Sequence, residues 1–255
     1  MVSAKTTFDE IEKNQKGNRE LKSHFYYCYG QYQFNQQNAS EAEKYLNESL
    51  ELRQSEKQTD LEKGEKQTDL KTVDEIVTLT FLANVCQPGA KEKCYYEALR
   101  KSKQYLGNHE LTLNCYKRLG DIKMKKRDNE DALGFYDRAD EIRNVLGITD
   151  SSVSSVYFLK NRGKCLSYLG QRQGAVQVLM EACGIIEKLP ADNILFKLKV
   201  YCCLAEVLNK QEFGCSEAKE YTWKALDVRK KLSGKKFLNE KKNMEAIIGQ
   251  RKGKK

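Results

Sequence analysis

Small residues recur along the chain at a fixed spacing, with bulky apolar residues such as Leu119 and Tyr136 beside them. In each occurrence a Gly or Ala is followed 12 residues later by an Ala, and a further small residue comes seven residues after that; the last occurrence has one extra residue before its second position. The four sets are Gly30, Ala42 and Ser49; Gly120, Ala132 and Ala139; Gly163, Ala175 and Ala182; and Ala205, Ala218 and Ala225.

This spacing predicts pairs of antiparallel helices. A Gly or Ala on the first helix lets the second helix approach closely, and two small residues seven apart lie on one face of the second helix. Each pair leaves an apolar face that only its neighbours can cover, so the pairs must stack. The period is 43 residues from Gly120 to Gly163 and 42 from Gly163 to Ala205. The pattern therefore favours an all-α repeat protein.

Five helix pairs follow from this period. We place them at about 19–55, 72–105, 110–146, 152–188 and 193–232, within an array that spans residues 19–234. The second pair matches least well, with its small residues at Ala83, Ala90 and Ala98 and a shortened hinge at 87–89. A capping box at 7–10 predicts a short helix in the N-terminal segment 1–18. Residues 235–255 are predicted to hold a capping helix and a basic tail.

One hexapeptide, EKQTDL, occurs at 56–61 and again at 65–70. Gly30 and Ala83 are 53 residues apart, and removing one nine-residue copy leaves 44, which is close to the period of the array. Nine extra residues would turn a packed helix by about half a turn. We therefore predict that the insert 56–70 lies in the connector or in a solvent-side extension of a helix, without a required function. A linear docking segment is the alternative.

Three second helices end in similar tripeptides, Glu51-Leu52-Arg53, Glu141-Ile142-Arg143 and Asp227-Val228-Arg229, and two connectors begin Leu106-Gly107 and Leu146-Gly147. Together with the small-residue pattern, these motifs resemble the tetratricopeptide repeat (TPR) family, in its long-period kinesin light chain and nephrocystin type. The resemblance covers about residues 20–232. It implies a right-handed α-solenoid of about five TPR helix pairs. Arg162 and Lys123 stand where the family usually has Leu and an aromatic residue.

The composition agrees with an all-helical fold, and the cysteines indicate the cellular compartment. The 255 residues include only two prolines, and Lys, Glu and Leu are abundant, which favours helices. The nine cysteines form no CxxC motif and no signal-peptide pattern precedes them, so we expect reduced thiols that fill the core of a cytoplasmic protein. No window of about 18 apolar residues predicts a membrane span.

The sequence offers little for catalysis. Its two histidines, His24 and His109, are far apart, and it contains no Gly-rich phosphate loop, no HExxH and no nucleophile elbow. His24 and Cys28 would share a helix face, but two ligands do not make a zinc site. We therefore predict a protein without enzymatic activity, cofactor or metal.

The TPR resemblance implies that the first helix of each pair lines a concave groove. The groove positions of the third to fifth pairs are rich in Lys, Asn and Tyr: Asn114, Lys117, Asp121 and Lys125; Tyr157, Lys160, Lys164 and Tyr168; and Lys199, Glu206, Asn209 and Lys210. The first pair offers the uncharged set His24, Tyr27, Gln31 and Asn35. Amides can hold a peptide backbone and lysines select carboxylates. We predict that this groove binds an extended, acidic peptide of a partner protein.

Chaperone-binding TPRs hold a C-terminal carboxylate with five side chains. Lys117, Asn161 and Lys199 match three of these positions, and we count Asn161 with the other two among the predicted groove residues. Asp121 and Cys203 replace the remaining two residues of the set. An anion at that point would repel the ligand.

Two other interpretations of the lysines remain open. They can form a simple solvated face, or they can serve RNA or another single-stranded nucleic acid. The net charge of +9 permits nucleic-acid binding, and Tyr27, Tyr157 and Tyr168 could stack on bases. The array is also expected to work as an adaptor or scaffold, either alone or as the sensor part of a larger chain.

Overall fold

The computed structural model describes residues 19–62, 69–148, 152–190, 193–209 and 215–230. Within these ranges the chain forms ten α-helices and no strand. The helices are α1 Arg19–Asn35, α2 Ala39–Glu62, α3 Asp69–Val85, α4 Pro88–Tyr105, α5 Glu110–Lys125, α6 Asn129–Val145, α7 Val153–Tyr168, α8 Arg172–Lys188, α9 Ile194–Asn209 and α10 Cys215–Lys230. The predicted N-terminal helix, capping helix and basic tail lie outside the described residues.

The chain divides into two compact units, Met1–Leu119 and Gly120–Lys255. The first contains α1 to α4 and the beginning of α5, and the second contains the remainder of α5 and α6 to α10. Consecutive helices pack as pairs, α1 with α2 and α3 with α4 in the first unit, and α7 with α8 and α9 with α10 in the second. Turns as short as 36–38 and 169–171 connect the partners, so the paired helices run antiparallel.

Glycines on the first helices bring the second helices close, as the spacing predicts. A Cβ atom added to Gly163 would lie 2.7 Å from Leu179 Cγ, and one added to Gly120 would lie 2.7 Å from the Tyr136 ring. Gly30 has the same relation to Leu46, at 2.8 Å. The small residues of the second helices are fully or almost fully buried: Ala42, Ser49, Ala132, Ala139, Ala175, Ala182, Ala218 and Ala225. The predicted contact geometry is therefore confirmed.

The second pair differs from the prediction at its hinge. Helix α4 begins at Pro88, with Gln87 as its N-cap, so Pro88 and Gly89 belong to the helix rather than to the turn. Proline at this position costs nothing because its missing N–H would have had no intrahelical partner. Ala83 and Ala98 are buried, but Ala90 lies exposed in the first turn of α4. The expectation that Ala90 is a contact residue was wrong.

A buried ion pair joins the helices of the first unit. Lys101 Nζ on α4 lies 2.8 Å from Glu75 Oε1 on α3, and the side chains are 11% and 2% exposed. Gln54 Nε2 on α2 donates a hydrogen bond to the same oxygen, at 3.1 Å. Because a buried charge without its partner is strongly destabilising, this contact fixes how α2, α3 and α4 pack.

The two charged departures from the TPR pattern have carboxylate partners in the second unit. Arg162 donates through Nε to Asp137 and through Nη1 to Asp140, both at 3.0 Å. Lys123 Nζ lies 3.1 Å from Asp131 Oδ2. Each cation on a first helix thus pairs with an acid on a second helix, and ion pairs replace the usual apolar contact at these two places.

The duplicated hexapeptide begins inside a helix. Helix α2 continues to Glu62, seven residues beyond the predicted end of the pair, and therefore includes the first copy at 56–61. Helix α3 starts at Asp69, within the last residues of the second copy. Residues 63–68 lie outside the described ranges. That the insert has no required function stays a prediction.

Candidate functional site

The predicted groove residues fall on three helices. Asn114 and Lys117 lie on the part of α5 that belongs to the first unit, and both are partly exposed. The others that the structure describes lie in the second unit: Lys125 on α5, Tyr157, Lys160, Asn161 and Lys164 on α7, and Lys199 and Asn209 on α9. Lys210 lies outside the described residues.

Lys125 and Lys164 both line a cleft of about 560 Å³ in the second unit, which we call the basic cleft. Its described lining is Met124, Lys125, Arg127, Asn129, Lys164 and Tyr168. Three of these side chains are cations and none is a carboxylate. An amide, a thioether and a phenol ring complete the lining, so the cleft offers both charge and apolar contact. It brings together Lys125 and Lys164 from two different helices of one unit.

The turn between α5 and α6 shapes one side of the basic cleft. Arg127 takes a left-handed conformation with φ of 64°, at the turn position that corresponds to Gly170, whose φ is 77°. This conformation ends α5 and brings the chain directly into α6, where Asp128 caps the helix by accepting from the Asp131 N–H. An arginine in place of glycine is strained there, and its side chain lines the cleft.

Helix α7 forms the other side with residues one turn apart. Lys164 and Tyr168 share a face because they are four residues apart. Tyr168 is 61% exposed. Within the described ranges, Lys164 forms no ion pair with a carboxylate. Its positive charge therefore remains available to a ligand.

Lys160 continues this face by one more turn. Its ammonium lies 4.5 Å from the centre of the Tyr157 ring. Burial first, and then the charges of Lys164 and Lys199, lower the pKa of Lys160 to about 8, while Cys203 and Asp121 act in the opposite direction. Lys164 and Lys199 are thus each near enough to repel the Lys160 ammonium, and an anionic ligand would relieve this repulsion.

Asn161 does not line a surface, and its assignment to the groove is corrected. Its side chain is 1% exposed, and its Nδ2 donates to Asp121 Oδ1 at 2.8 Å. The Tyr136 hydroxyl donates to the same oxygen at 2.7 Å. Asp121 therefore draws Asn161 into the interior, where it links α5, α6 and α7. The Asp121 carboxylate accepts two internal hydrogen bonds.

On α9, the described groove residues are separate from the basic cleft. Lys199 is exposed, with its ammonium 5.8 Å from the centre of the Phe196 ring. Asn209, the last residue of α9, is partly exposed. Neither residue lines the cleft.

Sequence reasoning missed three residues of the cleft, Met124, Arg127 and Asn129. The groove positions were counted along the first helices, whereas Arg127 and Asn129 lie in the turn and at the start of α6. A signal for Arg127 was available. It stands seven residues after Gly120, as Gly170 stands seven after Gly163, so a long cation occupies the turn position that is glycine in the next pair.

The described residues contain no cluster of three or more His, Cys, Asp or Glu side chains that could hold a metal ion. Buried thiols behave as core residues: burial raises the pKa of Cys115 and of Cys165 to about 12, so these thiols stay protonated near neutral pH and are poor nucleophiles. Among the described helices, none is both long and apolar enough to cross a membrane.

Comparisons with known proteins give matches in structure alone. No family model matches the chain, and no curated protein matches it. Among solved structures, a signal transduction ATPase with numerous domains and a TPR sensor, from Pyrococcus horikoshii, is similar with a TM-score of 0.72 and 12% identity. The match covers 96% of this chain and 36% of that one. The chain thus spans about a third of that protein's length.

Two further structures lead to the same fold. The apo form of RapI is similar with a TM-score of 0.68 and 20% identity, over 96% of this chain and 68% of RapI. A putative kinesin light chain from Podosopora anserina with TPR-like repeats is similar with a TM-score of 0.60 and 14% identity, over 84% of this chain and 98% of that one. The long-period type of repeat stays a prediction. The predicted all-α fold of about five helix pairs is confirmed, and the chain has the fold of the tetratricopeptide repeat proteins.

Proposed function

We propose that the chain is a TPR scaffold or adaptor whose second unit binds an extended, acidic peptide segment of a partner protein. The observation that supports this best is the basic cleft, in which Lys125, Arg127 and Lys164 converge without a lining carboxylate. In this proposal the protein has no catalytic activity and needs no cofactor. Its location is expected to be cytoplasmic.

The charges and shapes around the cleft favour an acidic peptide over a neutral one. A carboxylate that enters beside Lys164 gains the attraction of three cations and relieves the repulsion between Lys164 and Lys160. The Asn129 side chain can donate to and accept from a peptide backbone. Tyr168 and Met124 offer apolar contact for a neighbouring side chain. Arg127 suits a carboxylate in particular, because its guanidinium can donate two parallel hydrogen bonds.

Single-stranded nucleic acid is the weaker candidate. Stacking on bases needs open aromatic faces, and two of the three tyrosines proposed for it contact other side chains. The Tyr27 ring lies edge-on to Phe81 at 6.0 Å, and the Lys160 ammonium lies over Tyr157. Tyr168 alone of the three is widely exposed. Three cations with one stacking platform suit a short run of carboxylates better than a strand of bases.

Reversing one charge in the cleft tests the proposal. We expect Lys164→Glu to weaken binding of a labelled Glu-Gly repeat peptide by about tenfold or more, because an anion replaces a cation in contact with the ligand. Fluorescence anisotropy measures the affinity, and helical content by circular dichroism should not change. A matched control is Lys219→Glu on α10, an exposed position that carries the same change in charge. Equal affinities for the two variants would contradict the proposal.

The affinity for the same peptide should depend on pH. Because the pKa of Lys160 is about 8, this ammonium loses its proton between roughly pH 7 and 9, and the free protein becomes less cationic beside the cleft. A bound anion raises that pKa, so binding takes up a proton and weakens as the pH rises. Titration of an N-acetylated peptide at these pH values measures the effect. Lys160→Met should abolish the dependence on pH. If this variant showed the same dependence as the wild type, another titrating group would be its cause.

A further inference from the structure

The first unit contains a second pocket, of about 350 Å³, bounded by the beginning of α1 and by parts of α2 and α3. The polar residues that line it are Glu20, Ser23, His24, Arg53, Lys71 and Asp74. We call it the Arg53 pocket. Its volume is near the lower end of the range for small-molecule sites, and its lining carries both signs of charge.

Arg53 is the unusual member of this lining. Its side chain is only 8% exposed, and its Nη1 lies 3.3 Å from Asp74 Oδ2. This approach lacks the alignment of a hydrogen bond, and among the described residues neither Nε nor Nη1 has an acceptor. The guanidinium also lies 5.7 Å from the centre of the Tyr27 ring. Buried guanidinium donors without acceptors carry their full desolvation cost, so a ligand that supplies an acceptor is stabilised here.

The equivalent arginine of another pair has more partners. Arg143 ends the tripeptide Glu141-Ile142-Arg143 as Arg53 ends Glu51-Leu52-Arg53. Its Nη2 lies 3.1 Å from both Asp140 Oδ1 and Glu181 Oε1. Its Nε also lacks an acceptor among the described residues, so the two arginines differ at Nη1 rather than at Nε. Three residues before Arg53 the chain has Leu50 in place of an aspartate. The first unit therefore lacks a carboxylate that the second unit supplies to the same position of the motif.

We propose that the Arg53 pocket binds a terminal α-carboxylate that carries an adjacent N–H donor. The carboxylate accepts from the Arg53 guanidinium, and Lys71 adds positive charge. Glu20 and Asp74 accept from the neighbouring N–H and disfavour ligands that are anionic throughout. A free α-amino acid and the C-terminus of a peptide share this chemistry. The pocket belongs to the first unit and the basic cleft to the second. An experiment can therefore disprove binding at one site without affecting the proposal for the other.

The Arg53 Nε–H resonance reports on this pocket directly. In a ¹⁵N-labelled sample of the full chain, assigned through bonds in the wild type, it should shift saturably with free alanine or with N-acetyl-Ala-Ala. The C-terminal amide of the same dipeptide should not shift it. Saturation by alanine identifies a small zwitterion as the source of the carboxylate, whereas saturation by the dipeptide alone identifies a peptide C-terminus.

Two comparisons make the result specific. The resonance of Arg138, whose side chain is 65% exposed and pairs with Glu141, should respond only to bulk salt. Arg53→Lys keeps the charge but not the planar fork, and we expect it to bind the effective probe at least tenfold more weakly. An absence of saturable shift with every carboxylate, or an equal shift with the amide, would overturn the proposal and leave water as the partner of Arg53.

Discussion

Replacing Lys101 with Met is expected to lower the free energy of unfolding by about 3–5 kcal/mol, the usual cost of removing one partner from a buried ion pair. The change leaves the Glu75 carboxylate, 2% exposed, without the ammonium at 2.8 Å. The hydrogen bond from Gln54 remains, but an amide carries no positive charge that could replace the ammonium. Urea denaturation followed by circular dichroism measures the loss.

Two further variants separate the charge from its packing. Lys224→Met removes a pair of the same 2.8 Å length whose side chains are 39% and 59% exposed, and it should change stability by less than about 1 kcal/mol. Lys101→Met combined with Glu75→Leu should recover most of the loss, because apolar residues often replace buried ion pairs at little cost. If the double variant were as unstable as the single one, the loss would not come from burying the Glu75 charge without the Lys101 ammonium.

Gly163→Ala should lower the free energy of unfolding by about 1–3 kcal/mol, the range for overpacking a well-packed core. The new methyl group would lie 2.7 Å from Leu179 Cγ and 3.0 Å from its Cδ2. Leu179 is fully buried, so the contact can relax only if α7 and α8 move apart. The same denaturation experiment measures this change.

Gly184→Ala is the matched control, in the same helix pair and unit. Gly184 lies exposed inside α8, and an added Cβ meets nothing within 4 Å. Since alanine is the better helix former, this change should stabilise the protein by about 0.5–1 kcal/mol. The two Gly→Ala substitutions thus have opposite expected signs. A stabilising effect at Gly163 would mean that the glycines do not set the distance between paired helices.

The sequence was sufficient for the helix pairs because their spacing is a local property. A glycine that permits close contact marks the packed face of the first helix, and two small residues seven apart mark the packed face of the second. Gly120, Gly163 and Ala205 therefore reveal the repeat without knowledge of which residues they contact. The hinge of the second pair was misplaced because Pro88 suits a turn and a first helical residue equally well. Which of these applies depends on where α4 packs, and a single sequence does not contain that information.

The site was harder to predict because side-chain orientation depends on distant partners. Asn161 was counted as a groove residue from its position in the repeat, but its amide is drawn inward by Asp121, 40 residues away. Arg127 was missed since it lies in a turn, and its role follows from a left-handed backbone that brings it beside Lys164. Lys125 and Lys164 line the cleft because both lie on first helices at positions that the repeat itself determines, and their role in binding stays a prediction.

The most direct test of the central claim is to titrate the Glu-Gly peptide and a labelled single-stranded RNA into the wild-type protein and the Lys164→Glu and Lys219→Glu variants. Anisotropy would be recorded at roughly 50 and 200 mM salt, the range over which phosphate contacts lose most affinity. We predict peptide binding that persists at the higher salt, weakens by about tenfold or more in Lys164→Glu and is unchanged in Lys219→Glu. RNA binding with a steep salt dependence, together with no peptide signal, would contradict the account and assign the basic cleft to nucleic acid.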